Sequence, residues 1–203
     1  MENYKLEDKV LKFEDIDLAG TYSYADYLKW EFDERVELIK GKVFRMSPAP
    51  TIFHQQVSGV VFGLLFIYLR KKSCKVFSAP VDVRFPRRSM DDKDIITVLQ
   101  PDICVICDPA KLDGRSVTGA PDIIVEILSP GNNRTELRNK YEVYEEAGVL
   151  EYWVIHPAEK TFLKYSLDTN GRFQASQLLT LGDEVTSTVF PGFSMSLDEV
   201  FED

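Results

Sequence analysis

The sequence predicts an α/β or α+β fold, a mixed central sheet covered by helices, and three observations carry that expectation. A helix-length run, Ile52 to Lys71, has no breaker but Gly59 and Gly63, and three apolar β-type runs follow it: Lys75 to Phe85, Gln100 to Cys107 and Asp122 to Leu128. A second helical run, about Thr135 to Ala147, closes on Gly148, a residue suited to a helix C-terminus. Strand patterns then resume at Glu151 to His156 and Lys160 to Ser166. With 203 residues, 44% hydrophobic and 28% charged, the chain has enough apolar side chain for one core, so a single domain over 1–203 is expected.

Taken in order, Thr21 to Trp30 reads as a short helix with Ser23 and Asp26 at capping-box spacing. Arg35 to Met46 reads as a hairpin turning at Lys40-Gly41, and Pro48 and Pro50 end it. Apolar residues surround the long helix from Val57 to Leu69, which predicts burial on most sides against a sheet. Ser129 to Asn133 stops the third strand, and Pro157-Ala158-Glu159 turns the chain between the next two. Short strands around Phe173 to Leu181 and Glu184 to Val189, then Pro191-Gly192 and a helical turn near Ser196, decorate the C-terminal end.

Met1 to Asp8 lacks the basic start and apolar core of a signal peptide, and no stretch approaches about 18 uninterrupted apolar residues, so a cytoplasmic protein without a membrane partner is expected. Three cysteines do not form an even framework, and strand alternation points Cys104 and Cys107 to opposite faces, so reduced buried thiols are expected rather than a disulfide or zinc site. The net charge of -9 opposes nucleic-acid binding by the whole surface. It hides a local excess: Arg70 to Lys93 carries eight basic residues against three acidic ones, either a positive surface or solvated loops.

Charges then fall where a core should be. Alternation places Glu126 with Ile124 and Leu128 on one apolar face of its strand, and Asp102 with Cys104 and Ile106 on one face of the preceding strand. Were those strands neighbours, about 4.8 Å apart, both carboxylates would reach one cation; without one they would repel. Lys140 lies within the helical stripe of Leu137, Tyr141 and Tyr144, aimed at the sheet, with Arg134 and Arg138 flanking it. Blander roles are available to each: a turn residue after Pro101 for Asp102, a structural ion pair for Glu126 and Lys140, a snorkelling amine for Lys140.

These residues, in this order, resemble the PD-(D/E)xK nuclease superfamily and, more closely, the Uma-two (Uma2) endonuclease family. The likeness runs from Arg35-Val36-Glu37-Leu38-Ile39-Lys40-Gly41 through His54-Gln55, Gln100-Pro101-Asp102, Pro121 to Pro130 and Lys140-Tyr141 to Ala147 to Ile155 and Pro191-Gly192-Phe193. It implies a restriction-endonuclease-like mixed sheet flanked by helices and a metal-dependent phosphodiesterase site. Asp102 takes the place of the motif aspartate and Glu126 that of its second acid; Asp122 is a rival too close to Glu126 for a strand reversal between them. Leu128 stands where the motif has lysine, and Lys140 resembles a replacement moved to the next helix. Glu37 reads equally as a metal-shell member or an exposed hairpin charge, and His54 as a site residue or a histidine of a capped helix.

The implied reaction is hydrolysis of phosphodiesters, in DNA by family analogy, with Asp102, Glu126 and the carbonyl of Ile127 holding Mg²⁺ or Mn²⁺ and Lys140 orienting water or neutralising the phosphorane. Basic residues between Arg70 and Arg88, or Arg134 and Arg138, would contact the backbone. A homodimer would set two sites against two strands. Loss of lysine at 128 favours a different class, a noncatalytic nucleic-acid or protein-binding module. A metal-free glycosidase using the same acids lacks a sugar-stacking context.

Overall fold

A computed structural model of the chain describes residues 9–46, 50–129 and 134–202. The readings of Met1 to Asp8, of Pro48, of the stop at 130–133 and of the Arg134 side chain lie outside the described residues. The N-terminal helix is α1 (Tyr24–Tyr27), with Ser23 and Asp26 exchanging the two capping hydrogen bonds. The hairpin pairs β1 (Val36–Ile39) with β2 (Lys42–Arg45). Its turn needs positive φ at both central positions, and Lys40 and Gly41 supply 52° and 80°.

The long helix α2 (Ile52–Leu69) is capped by Thr51. After it come β3 (Lys75–Ser78), β4 (Val83–Arg84), β5 (Val98–Leu99), β6 (Ile103–Ile106), β7 (Val117–Thr118) and β8 (Ile123–Ile127). Helix α3 (Arg134–Ala147) ends at Gly148, whose φ is 86°. Then follow β9 (Glu151–His156), β10 (Thr161–Leu167), β11 (Phe173–Ala175), β12 (Glu184–Thr186), β13 (Ser194–Ser196) and α4 (Leu197–Val200).

These strands form three sheets among the described residues. The central six-stranded sheet has the order β11-β10-β9-β8-β6-β3, a five-stranded sheet runs β2-β1-β5-β4-β7, and β12 pairs with β13. Strands β8 and β9 are parallel, joined through α3, whereas β6 runs antiparallel to β8. One predicted strand is therefore split and another shortened. Lys75 to Phe85 breaks at Ala79-Pro80, and β4 passes to the smaller sheet; Gln100 to Cys107 starts its ladder only after Pro101. Proline has no N–H to donate, so a ladder ends or changes partner there.

Each face of the central sheet carries its own apolar layer. Val57, Val61, Leu65 and Leu69 of α2 join Ile103, Val105, Ile123, Val125, Ile127 and Trp153 with Leu197 and Val200 of α4. On the opposite face Val143 and Tyr144 of α3 meet Cys104, Ile106, Ile124 and Tyr152, together with Ile39, Val83 and Leu99 of the smaller sheet. The alternation read for β6 and β8 is thus the observed one.

Helix α2 departs from the expectation of burial on most sides. One stripe is buried, while Ile52, Phe66 and Ile67 are 82%, 50% and 64% exposed, because α2 is an outer layer with the sheet on one side only. By length and composition it is apolar enough to cross a membrane, yet its i, i+4 stripe belongs to the core. The cysteines are corrected too. Lys75 faces Ile106 across β3 and β6, so one step further Cys74 faces Cys107, and the two are disulfide-bonded; Cys104 is a buried free thiol.

Candidate active site

The register of β6 against β8 pairs Ile103 with Val125 and Cys104 with Ile124, and one further step sets Asp102 opposite Glu126. Asp102 Oδ2 accepts the N–H of Ile127 at 2.7 Å. His54, in the first turn of α2, brings Nε2 to 2.8 Å from the Ile127 carbonyl oxygen and 3.6 Å from Asp102 Oδ2. Both backbone polar groups of Ile127, at the end of β8, are therefore held, the N–H by Asp102 and the carbonyl by His54. The Thr51 hydroxyl accepts the His54 N–H at 3.1 Å, so the cap that starts α2 also fixes the histidine.

Glu126 and Lys140 are both nearly sealed, at 7% and 4% exposure. Lys140 Nζ lies 3.1 and 3.2 Å from the two Glu126 oxygens and 3.1 Å from Glu37 Oε1. The same Glu37 oxygen accepts the N–H of Gln100 at 2.9 Å, two residues before Asp102. Glu37 is thus a buried member of the cluster rather than an exposed hairpin charge, and it reaches the site through Lys140. Tyr144, one turn beyond Lys140, donates its hydroxyl to Glu126 Oε1 at 2.5 Å.

Burial of Glu126, with Asp102 and Glu37 nearby, pushes its carboxyl up to about 7 against the opposing pull of Lys140 and Tyr144. Burial alone would lower the Lys140 ammonium, but Glu126 and Glu37 outweigh it and hold it charged. For His54, burial opposes the charged ring, while Asp102 and the Ile127 carbonyl favour it and win. Glu126 and Glu37 share the Lys140 ammonium while Asp102 faces His54, so the cluster is rich in oxygen donors.

Asp102, Glu126 and Ile127 line an open cleft of about 140 Å³ together with Arg35, Gln55 and Glu136. Among the described residues no three Asp, Glu, His or Cys side chains are spaced as a metal site. Asp102, Glu126 and the Ile127 carbonyl remain a hard-oxygen set fitting a cation that keeps several waters. The carbonyl has a second lone pair beside the His54 hydrogen bond, and His54 Nδ1 is buried without a partner, so the ring is not locked from its far side.

The structure brings together all six residues expected from the sequence, Asp102, Glu126, Lys140, Glu37, His54 and Ile127. Tyr144, expected only as part of the apolar stripe, is in addition a polar partner; its spacing of four from Lys140 was the available signal. Gln100 is a further supporting residue, donating its backbone N–H to Glu37 and accepting from Arg35 at 2.7 Å. Asp122 is not in the cluster: its carboxylate accepts the Cys107 N–H at 2.7 Å. Three of the basic residues proposed to meet the backbone are engaged elsewhere. Arg84 is buried between Asp92 and Asp113, Arg87 pairs with Glu146, and Arg138 with Glu142.

The profile of the Uma2 family, described as "Putative restriction endonuclease", matches residues 24–198. A crystal structure of "a putative nuclease belonging to DUF820" from Anabaena variabilis is similar in fold, with a TM-score of 0.69 at 19% identity over 89% of this chain and 97% of that one. Among curated proteins none matches.

Proposed function

The chain belongs to the Uma2 family of restriction-endonuclease-like nucleases, and on that footing we propose that it hydrolyses phosphodiester bonds in DNA with a divalent cation. One observation carries the reading: Asp102, Glu126 and Ile127 line one open cleft, with the Lys140 ammonium 3.1 Å from Glu126. Those three groups would hold Mg²⁺, or Mn²⁺ in its place. When bound there, such a cation acidifies water and offsets negative charge on the phosphate in the transition state.

The chain's own residues do the rest. Lys140 takes over the role of the ammonium absent at Leu128, orienting the attacking water or neutralising phosphate oxygens. Glu37 keeps that amine charged and aimed. His54 fixes the Ile127 carbonyl, Asp102 fixes its N–H, and Tyr144 fixes the carboxylate of Glu126.

Incubation with single- and double-stranded DNA and RNA, in Mg²⁺, Mn²⁺ or EDTA, tests the reading. Cleavage of DNA is expected with either cation and none with EDTA or in Glu126→Ala. Equal cleavage by Glu126→Ala would remove the proposed site, and cation-independent binding without cleavage of any substrate would favour the noncatalytic module.

A further inference from the structure

From Leu38 to Val81 the chain carries no aspartate or glutamate, although 33 of its 203 residues are acidic. That segment holds seven lysines and arginines, so the rest of a chain of net charge -9 carries -16. In the fold it supplies α2 and β3, the latter an edge strand of the central sheet. This acid-free segment therefore lies beside the cleft that contains Asp102.

Relief follows charge. Past Gln55, Ala79 and Asp102 the cleft continues into a groove of about 190 Å³ between α2 and β3, walled by Ser58, Gly59, Phe62 and Ser78. A Cβ built on Gly59 meets nothing within 4 Å, so that wall is open. Phe62 and Phe66 stack at 5.9 Å with planes 12° apart. Spacings of three and four put Gln55, Gly59, Phe62, Phe66 and Arg70 along one line of the helix, about 22 Å long at 1.5 Å per residue. The line ends at Arg70, Lys71 and Lys72, all exposed; among the described residues none of the three is ion-paired, and Lys72 lies over the Tyr68 ring.

We infer that one strand of nucleic acid leaves the cleft at Asp102 along the groove between α2 and β3, its bases against Phe62 and Phe66 and its phosphates toward Arg70, Lys71 and Lys72. Aromatic faces accept any base, and a basic end releases counterions from the backbone, so the track binds without reading sequence. The inference rests on the nuclease reading for the polymer's identity. It replaces Arg84, Arg87 and Arg138 as backbone contacts with a surface whose cations are available.

The test is fluorescence anisotropy of a labelled single-stranded oligodeoxynucleotide that spans the groove, without divalent cations so that no strand is cut. Arg70→Gln/Lys71→Gln/Lys72→Gln should bind about tenfold more weakly, with the slope of log affinity against log salt shallower by about 2. Gly59→Trp should weaken binding by filling the groove. Hydrolysis of bis(4-nitrophenyl) phosphate, too small to need the track, should be unchanged in all these variants and lost in Glu126→Ala. Unchanged oligonucleotide affinity and salt slope in both groove variants would overturn the inference. So would loss of binding to phosphatidylserine vesicles in place of DNA, which would make this face a membrane surface. Groove-dependent DNA binding by a protein that hydrolyses no diester would uphold the track while removing the nuclease reading.

Discussion

Lys140 holds two buried carboxylates at once, and that decides what its removal does. Lys140→Ala leaves Glu37 and Glu126 without their shared cation, an uncompensated burial that costs about 3–5 kcal/mol. Urea denaturation should show that loss. Divalent-cation binding should persist while cleavage falls about 10²-fold or more, as expected for a group that meets charge developing in the transition state; full activity would take Lys140 out of the mechanism. Tyr144→Phe is the milder probe. Its ring keeps the contacts with Phe85 and Tyr152 at 5.8 and 5.0 Å, while Glu126 loses a hydrogen bond worth about 1.5–3 kcal/mol. Unchanged stability in that variant would show that the hydroxyl does not hold the carboxylate. The charges at 102, 126 and 140 were legible because alternation and helical spacing put them on apolar faces. Tyr144 was not, because a tyrosine on such a face satisfies the apolar pattern with its ring and gives no sign of where its hydroxyl goes.

Among the elements, β9 carries a fully buried carboxylate that the site does not use. Glu151 accepts from Trp153 Nε1, the Ser187 hydroxyl, and the N–H and hydroxyl of Thr188, tying the C-terminal hairpin β12 and β13 to the central sheet. Glu151→Ala would strand these donors at about 1–3 kcal/mol each. Hydrogen exchange in Glu184–Thr186 and Ser194–Ser196 should accelerate before exchange in Ile123–Ile127 does; uniform acceleration would mean that the hairpin is no separate unit. The disulfide makes a second prediction at this scale: unfolded without reductant, the chain should yield one titratable thiol, from Cys104, and three would mean that Cys74 and Cys107 are reduced. The hairpin at Lys40-Gly41, the capped helix at Ser23 and the helix stop at Gly148 could be read in advance because each is set by local backbone chemistry. The smaller sheet could not. Strands β4, β5 and β7 are two residues long and owe their existence to partners far along the chain. The pairing of Cys74 with Cys107 likewise depends on which strand flanks β6, which periodicity leaves open.

For the whole molecule, the architecture converts sequence distance into one cluster of charged groups. The hairpin brings Glu37, the cap of α2 brings His54, β6 and β8 bring Asp102 and Glu126, and α3 returns Lys140 over the sheet. The acid-free segment that supplies α2 and β3 sets itself apart from an otherwise acidic chain, an unevenness hidden in a net charge of -9. The most direct measurement is calorimetric titration of the intact chain with Mn²⁺, set against Asp102→Ala and Glu126→Ala. The wild-type protein should bind, and each variant, folded by circular dichroism, should lose that binding. Undiminished Mn²⁺ binding in both variants would contradict a shared cation held by Asp102 and Glu126.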